Sequence, residues 1–240
     1  MPHTALVTGA DHGLGLALTR RLLDRQWTVI AGRYRPDEHE LEALSADHPS
    51  RLRPVALDVS DLDSVRRAIA EATKAHPVVD LVINNAATLG LRGLEATIET
   101  GLEYESIAET IDVNALGPLR VVESVLPNME RSALKRLCFV SSEAGSIARS
   151  HRKAWFGYTM SKTALNMGVS LLFNDLRPRG FTFRLYHPGW MQTYMKGELD
   201  RNADLTPDEA AQRALHYFLD EAVDEDRLVM RDNDLSEWPW

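Results

Sequence analysis

Tyr158-Thr159-Met160-Ser161-Lys162 sets a phenol and an ammonium four residues apart, inside a run from Ala154 to Leu176 that reads as one long helix. Residues four apart share a helix face, so the two side chains project together. A phenol with its ordinary pKa of about 10 is mostly protonated at neutral pH. An adjacent ammonium favours the phenolate and lowers that pKa. Such a pair can exchange a proton with a hydroxyl or carbonyl oxygen. The plain alternative is a solvated surface pair, so the weight falls on what the rest of the chain places beside it.

A second group of residues opens the chain. The apolar strand Thr4-Ala5-Leu6-Val7-Thr8 runs into Gly9-Ala10-Asp11-His12-Gly13-Leu14-Gly15 and then into an amphipathic helix, Leu16 to Arg25. Strand, glycine-rich turn and helix in that order suggest a dinucleotide site. Gly9, Gly13 and Gly15 let the backbone turn tightly and approach a pyrophosphate, and the helix N-terminus offers free N–H groups. The next strand, Thr28 to Gly32, ends in Arg33-Tyr34-Arg35, with no carboxylate until Asp37. An acidic residue there would hold a ribose 2′-hydroxyl, whereas an arginine accommodates a 2′-phosphate. NADP(H) is therefore expected in preference to NAD(H), with Arg33 as the phosphate ligand, Arg35 in reserve and His12 able to face the phosphate edge. The plain alternative is that both arginines are solvated loop charges.

The elements that must position these residues alternate along the chain. A helical segment spans Asp37 to Ala46, and a strand Leu52 to Leu57 ends in Asp58-Val59. Ser60, with Asp63 three residues on, reads as a capping start for a helix through Ala75. A strand from Val78 to Ile83 leads to Asn84-Asn85-Ala86-Ala87, and Leu102 to Met129 is mostly helical, with Asn114 inside it. Leu137 to Val140 is a strand leading to Ser141-Ser142, and Phe181 to Tyr186 another, opening into His187-Pro188-Gly189. Thr206-Pro207-Asp208-Glu209 starts a helix to about Asp220, and Leu228 to Met230 would be a short last strand. This alternation predicts an α/β fold with a parallel sheet and helices on both faces, in which the candidate residues collect at the carboxyl ends of the strands.

Composition sets the bounds. The 240 residues carry a net charge of −8, which argues against a nucleic-acid partner. Cys138 is the only cysteine, in an apolar run, so a buried inert thiol is expected and a cysteine-rich metal site is excluded. No stretch resembles a membrane span of about 20 apolar residues, and no signal peptide is recognisable. The expected compartment is the cytoplasm, with no membrane partner and no metal. No linker, repeat or low-complexity tract divides residues 1–240, so one domain is expected.

Taken together, Thr8-Gly9 with Gly13-Leu14-Gly15, Asp58-Val59, Asn84-Asn85-Ala86, Asn114, Ser142, Tyr158 with Lys162, and Pro188-Gly189 with Thr193 resemble the short-chain dehydrogenase/reductase family in both type and order. The resemblance implies a Rossmann-type doubly wound parallel sheet of about seven strands. It implies that Tyr158 is the general acid for carbonyl reduction, that Lys162 lowers its pKa and binds the nicotinamide ribose, and that Ser142 holds the substrate oxygen, with Ser141 the alternative. It implies that Asn114 distorts its helix and holds a water in a proton relay. Asp58 and Val59 would flank adenine, Asn85 and Ala86 line the cofactor's path, and Pro188, Gly189 and Thr193 set the nicotinamide, with Met191 beside them. Ala87 stands where the family often has glycine, and residues 147–155 read as a small insertion near the site mouth. The stretch from His187 to Thr193 and the Trp238-Pro239-Trp240 ending resemble sniffer-like carbonyl reductases and C-factor-like proteins. That implies reduction of an aldehyde, ketone or quinone-like carbonyl, or a regulatory NADP(H) binder with little catalysis, and a homodimer or homotetramer for many members. Trp155, Phe156, Trp190 and Met191 would line a substrate pocket under a lid at residues 189–206. The terminal tryptophans read as a packing or subunit contact.

Overall fold

The strands at the centre of the sheet, residues 4–8, 81–84 and 136–140, are buried on both faces. In the computed structural model, which describes residues 3–36, 39–74, 77–195 and 197–240, one sheet runs in the order β3-β2-β1-β4-β5-β6-β7-β8. Its strands are β1 Thr4–Thr8, β2 Thr28–Arg33, β3 Leu52–Ala56, β4 Leu81–Asn84, β5 Arg136–Val140, β6 Thr182–Tyr186, β7 Met230–Arg231 and β8 Glu237–Trp238. All pair in parallel except β7 with β8. The expectation of about seven strands omitted β8, a two-residue strand whose partner β7 is equally short.

Alternate residues along each strand face opposite layers. Ala5 and Val7 join one core with Leu81, Ile83, Cys138 and Tyr186, covered by α1 (Gly13–Asp24), α2 (Glu40–Asp47) and α7 (Pro207–Phe218). Leu6 joins the other with Val82, Leu137, Phe139 and Leu185, beneath α3 (Leu62–Thr73), α5 (Gly117–Met129) and α6 (Phe156–Leu176). Burial on both faces explains the continuous apolar runs of the strands.

Several boundaries differ from the sequence reading, three of them for reasons the hydrogen bonds and the described residues make plain. The cap of α3 is Asp61, whose carboxylate accepts the Asp63 N–H, because the Ser60 hydroxyl is already given to Asp58 Oδ1 at 2.6 Å. Strand β4 begins at Leu81, since the Val79 N–H goes to the Asn128 carbonyl rather than to a neighbouring strand. Helix α2 begins at Glu40, and the expected limits Asp37 and Ala75 lie outside the described residues. The capping box of α7, Thr206 with Glu209, forms as read.

The helical run over residues 104–129 is continuous but not uniform. Between α4 (Tyr104–Ile111) and α5, residues Asp112–Leu116 form a π turn centred on Asn114. Pro118 has no N–H to return to the carbonyl of Asn114 four residues back. The helix therefore widens at Asn114, as π turns at functional sites often do.

Candidate active site

The strand order reverses between β1 and β4, and the carboxyl ends of these two strands hold the glycine turn and Asn84-Asn85-Ala86 side by side. The Thr8 hydroxyl accepts the N–H groups of both Asn85 and Ala86 at 3.0 Å. Asn85 Nδ2 donates to the carbonyls of Thr8 (3.0 Å) and Gly9 (3.1 Å). Its side chain thus braces the turn rather than pointing along it. Gly9 has φ +61, and a Cβ at Gly15 would fall 1.9 Å from the Gly9 carbonyl oxygen. Only glycine at position 15 lets the chain close this tightly.

Helix α1 begins at Gly13. His12, at its N-cap, makes no side-chain capping bond, and no acidic residue occupies the first turn. The leading N–H groups are thus uncapped by side chains, the arrangement that receives an anion at a helix N-terminus. Leu14 contributes backbone only, since its side chain is in the core. A Cβ at Gly13 would lie 3.8 Å from Thr193 Cγ2, so the loop after β6 reaches over the turn.

Asp11 was not singled out from sequence. It is 1% exposed, and its Oδ2 accepts the N–H groups of Tyr34 (3.1 Å) and Arg35 (2.7 Å). Its Oδ1 lies 3.3 Å from His12 Nδ1. Burial alone would raise its pKa, but His12 and the Arg35 N–H outweigh burial and lower it. The carboxylate therefore clips the glycine turn to the loop after β2. Arg33 ends β2 half-buried and paired with Glu42. Its charge is partly matched within the protein, which tempers its expected role as a phosphate ligand.

Asp58 and Val59 follow β3. The Asp58 carboxylate takes the Ser60 N–H (2.9 Å) and hydroxyl (2.6 Å), while Val59 packs under Gly117 of α5. Asn114 is 1% exposed and fully engaged: Oδ1 accepts the Thr88 N–H at 2.8 Å, and Nδ2 donates to the Thr88 carbonyl (2.8 Å) and to Ser161 Oγ (2.9 Å). Ser161 in turn donates to the Tyr158 carbonyl at 2.8 Å. The side chain thus ties the loop after β4 to the helix bearing Tyr158. Any water in a relay would have to be held by the main chain of the π turn. Thr88 and Ser161 gave no sequence signal, because they lie 26 and 47 residues from Asn114.

The two serines after β5 are separated by their partners. Ser141 Oγ donates to Asn166 Oδ1 at 2.6 Å in the interior, whereas the Ser142 hydroxyl accepts the Ala144 N–H at 3.2 Å and lies near enough to the Tyr158 phenol to lower its pKa. Burial raises the pKa of Tyr158; Ser142 and Arg152 lower it, and Glu143 raises it further, with a net rise. Lys162 is 2% exposed and gives Nζ to the Val140 carbonyl at 2.9 Å. Burial drives its pKa down to about 8. Its Nζ is 5.8 Å from the Tyr158 ring centroid. Burial sets the direction of the Tyr158 shift, which is upward rather than the lowering expected from a neighbouring ammonium.

Trp155 sits edge-on to Tyr158, ring centroids 6.2 Å apart, in a left-handed backbone conformation (φ +66). Its indole donates to Glu95 at 2.7 Å. Pro188 is buried, and Gly189 abuts Asn233. Met191 bridges to Leu205 and packs on the core beneath α7, and Trp190 donates to Asp200 at 2.9 Å. The site therefore gathers the glycine turn, Asn85, Ser142, Tyr158, Lys162 and Thr193 at one sheet edge. Asp58, Val59 and Arg33 extend that edge toward β3. Among the described residues no group of three or more His, Cys, Asp or Glu side chains could hold a metal ion, and no helix is long and apolar enough to cross a membrane.

The pattern of the short chain dehydrogenases matches residues 3–204. The C-signal protein of Myxococcus xanthus is 44% identical over 131 residues, 55% of this chain and 76% of that protein. The NADPH-bound carbonyl reductase from chicken fatty liver superposes with a TM-score of 0.88 at 27% identity, covering 100% of this chain and 99% of that one. The carbonyl reductase Sniffer of D. melanogaster shares the fold, with a TM-score of 0.89 at 23% identity over 100% of both chains. With the site geometry, these matches show that the chain belongs to the short-chain dehydrogenase family of oxidoreductases.

Proposed function

We propose that the protein reduces an aldehyde, ketone or quinone-like carbonyl to an alcohol, with NADP(H) as cofactor and Tyr158 as general acid. The observation that carries this reading is the grouping of Ser142, Tyr158 and Lys162 beside the glycine turn. The cofactor's pyrophosphate would rest on the uncapped start of α1, with Gly9, Gly13 and Gly15 giving it room. Asp58 and Val59 would flank adenine, and Pro188, Gly189 and Thr193 would border the nicotinamide. When bound, the cofactor supplies the hydride.

The chain's own residues supply the rest. A phenol with a raised pKa is protonated at neutral pH, so Tyr158 holds the proton that a forming alkoxide needs. The Ser142 hydroxyl, close to that phenol, would donate to the same oxygen as charge develops. Lys162, with a pKa near 8, can take part in refilling the proton, and the π turn at Asn114 is the candidate entry for water. Residues 189–206 would act as a lid over the carbonyl, its base closed by hydrogen bonds between Trp190 and Leu205 and between Gln192 and Leu205.

The NADP(H) preference rests on Arg33, Arg35 and His12 at the far end of the site, and is supported by the NADPH held in the chicken carbonyl reductase. Asp11 and Glu42 oppose it, so the preference is expected to be moderate rather than absolute. The resemblance to C-signal favours a second reading, a regulatory NADP(H) binder. Loss of reduced-nicotinamide absorbance with NADPH and then NADH, across aldehydes, ketones and quinones, separates the two. Turnover led by NADPH supports the reductase. Tight NADPH binding with no turnover across the panel supports the regulator.

A further inference from the structure

The loop that carries Ser142 is fastened to the end of the chain. Four residues on, the Ser146 hydroxyl donates to the Pro239 carbonyl. The Arg149 guanidinium lies 4.3 Å from the centroid of the Trp238 ring. On the other side, Trp238 pairs with Met230 in the β7–β8 ladder, and Arg231 accepts the His187 N–H at 2.8 Å. Trp238 is therefore held by the sheet, the Arg149 stack and the tail clamp at once. Its ring meets the His187 ring at 5.8 Å and 61°.

Two polar atoms of this couple are buried without a hydrogen-bond partner among the described residues: His187 Nδ1 and Trp238 Nε1. Leaving one such group unpaired is costly, and here two neighbours share the condition. An indole N–H can only donate, and a neutral imidazole offers one donor and one acceptor. Burial lowers the pKa of His187, against the opposing charges of Glu143 and Asp232, which keeps the ring neutral. A neutral oxygen suits this couple better than a carboxylate. The couple also lies at the carboxyl edge of the sheet, where His187 follows the end of β6 and the loop running from Ser142 to Ser146 holds the residue after Trp238.

We infer that His187 Nδ1 and Trp238 Nε1 determine specificity by holding a second oxygen of the substrate, a hydroxyl or carbonyl beside the one reduced, so that hydroxycarbonyl and 1,2-dicarbonyl compounds are favoured over simple ketones. This rests on the carbonyl-reduction reading. The second oxygen accepts the indole N–H and completes the imidazole's hydrogen bonding, while Tyr158 and Ser142 face the reacting oxygen.

The test compares kcat/KM for 1-phenyl-1,2-propanedione and propiophenone in the wild type, Trp238→Phe and His187→Phe, with NADPH. Trp238→Phe keeps an aromatic ring, smaller than the indole, and removes the donor. The dione is intrinsically more reactive, so the deciding quantity is the change in the dione-to-ketone ratio between wild type and variant. That ratio is expected to fall about tenfold in each variant, chiefly through KM for the dione, with NADPH affinity reporting that the fold is kept. A ratio within twofold of wild type in both variants overturns the inference. A wild type that reduces neither compound, nor any carbonyl of the wider panel, overturns the reduction reading and this inference with it.

Discussion

Replacing Lys162 by methionine should make the protein more stable while disabling it. The amine is 2% exposed, and among the described residues its one hydrogen bond runs to the Val140 carbonyl at 2.9 Å. Burial takes its pKa from 10.5 to about 8. At 1.36 kcal/mol per pH unit, that gap makes the charged amine cost the fold about 3 kcal/mol at neutral pH. Methionine fills similar space without a charge, and forfeits a hydrogen bond worth about 1 kcal/mol. The net gain is about 2 kcal/mol, or a rise in Tm of about 4–8 °C for a chain of this size. The pH dependence is the sharper part. Below about pH 8 the amine is charged in both folded and unfolded states, and the full cost applies. As pH rises from about 8 toward 10.5 the folded state binds fewer protons than the unfolded, so the wild type gains stability. The advantage of Lys162→Met should therefore shrink to near zero by about pH 10. Differential scanning fluorimetry of both proteins at pH 7 and pH 10, with an activity assay at pH 7, reads all three quantities. Equal melting at pH 7, or a gap that does not narrow with pH, would refute the burial argument.

Other substitutions probe separate parts of the site. Gly15→Ala puts a methyl 1.9 Å from the Gly9 carbonyl, so the turn must open; titration with NADPH should show affinity lower by at least about tenfold, equivalent to 1.4 kcal/mol. Asp11→Asn keeps an oxygen for the Tyr34 and Arg35 N–H groups but removes a negative charge from beneath the Arg33–Arg35 loop. The NADPH-to-NADH affinity ratio should rise severalfold, and an unchanged ratio would remove Asp11 from cofactor choice. Glu225→Gln takes the carboxylate from fully buried Arg184, which it meets at 2.7 and 3.0 Å. Urea unfolding should show a loss of about 3 kcal/mol, the low end for breaking such a pair, since Glu225 keeps some solvent contact.

Much of the architecture is legible because it is local. Strands buried on both faces leave unbroken apolar runs such as Leu137–Val140, and the capping box Thr206-Glu209 marks its own helix. The glycine turn declares itself through residue type alone. What the sequence hides is set by distant partners. Nothing near Asp11 announces that it will reach across to residues 34 and 35, and nothing near Asn114 names Thr88 or Ser161. The same holds for the choice between Ser141 and Ser142, which Asn166 decides by engaging the first. The spacing of Tyr158 and Lys162 is readable as a pair on one face. Spacing carries no dielectric information, however, so the upward shift of the phenol and the downward shift of the amine emerge only once both are packed. Strand β8 escapes because two residues, Glu237 and Trp238, carry no periodicity.

The account turns on proton delivery by Tyr158. Tyr158→Phe removes the phenolic hydroxyl and keeps the ring that packs against Trp155. The deciding measurement is NADPH-dependent turnover of a carbonyl substrate by this variant, alongside its NADPH affinity by fluorescence titration. The account predicts kcat lower by at least about a hundredfold, in line with general acid catalysis, with affinity within about threefold of wild type, a difference of under 1 kcal/mol. Turnover equal to wild type in a variant that binds NADPH normally would contradict it.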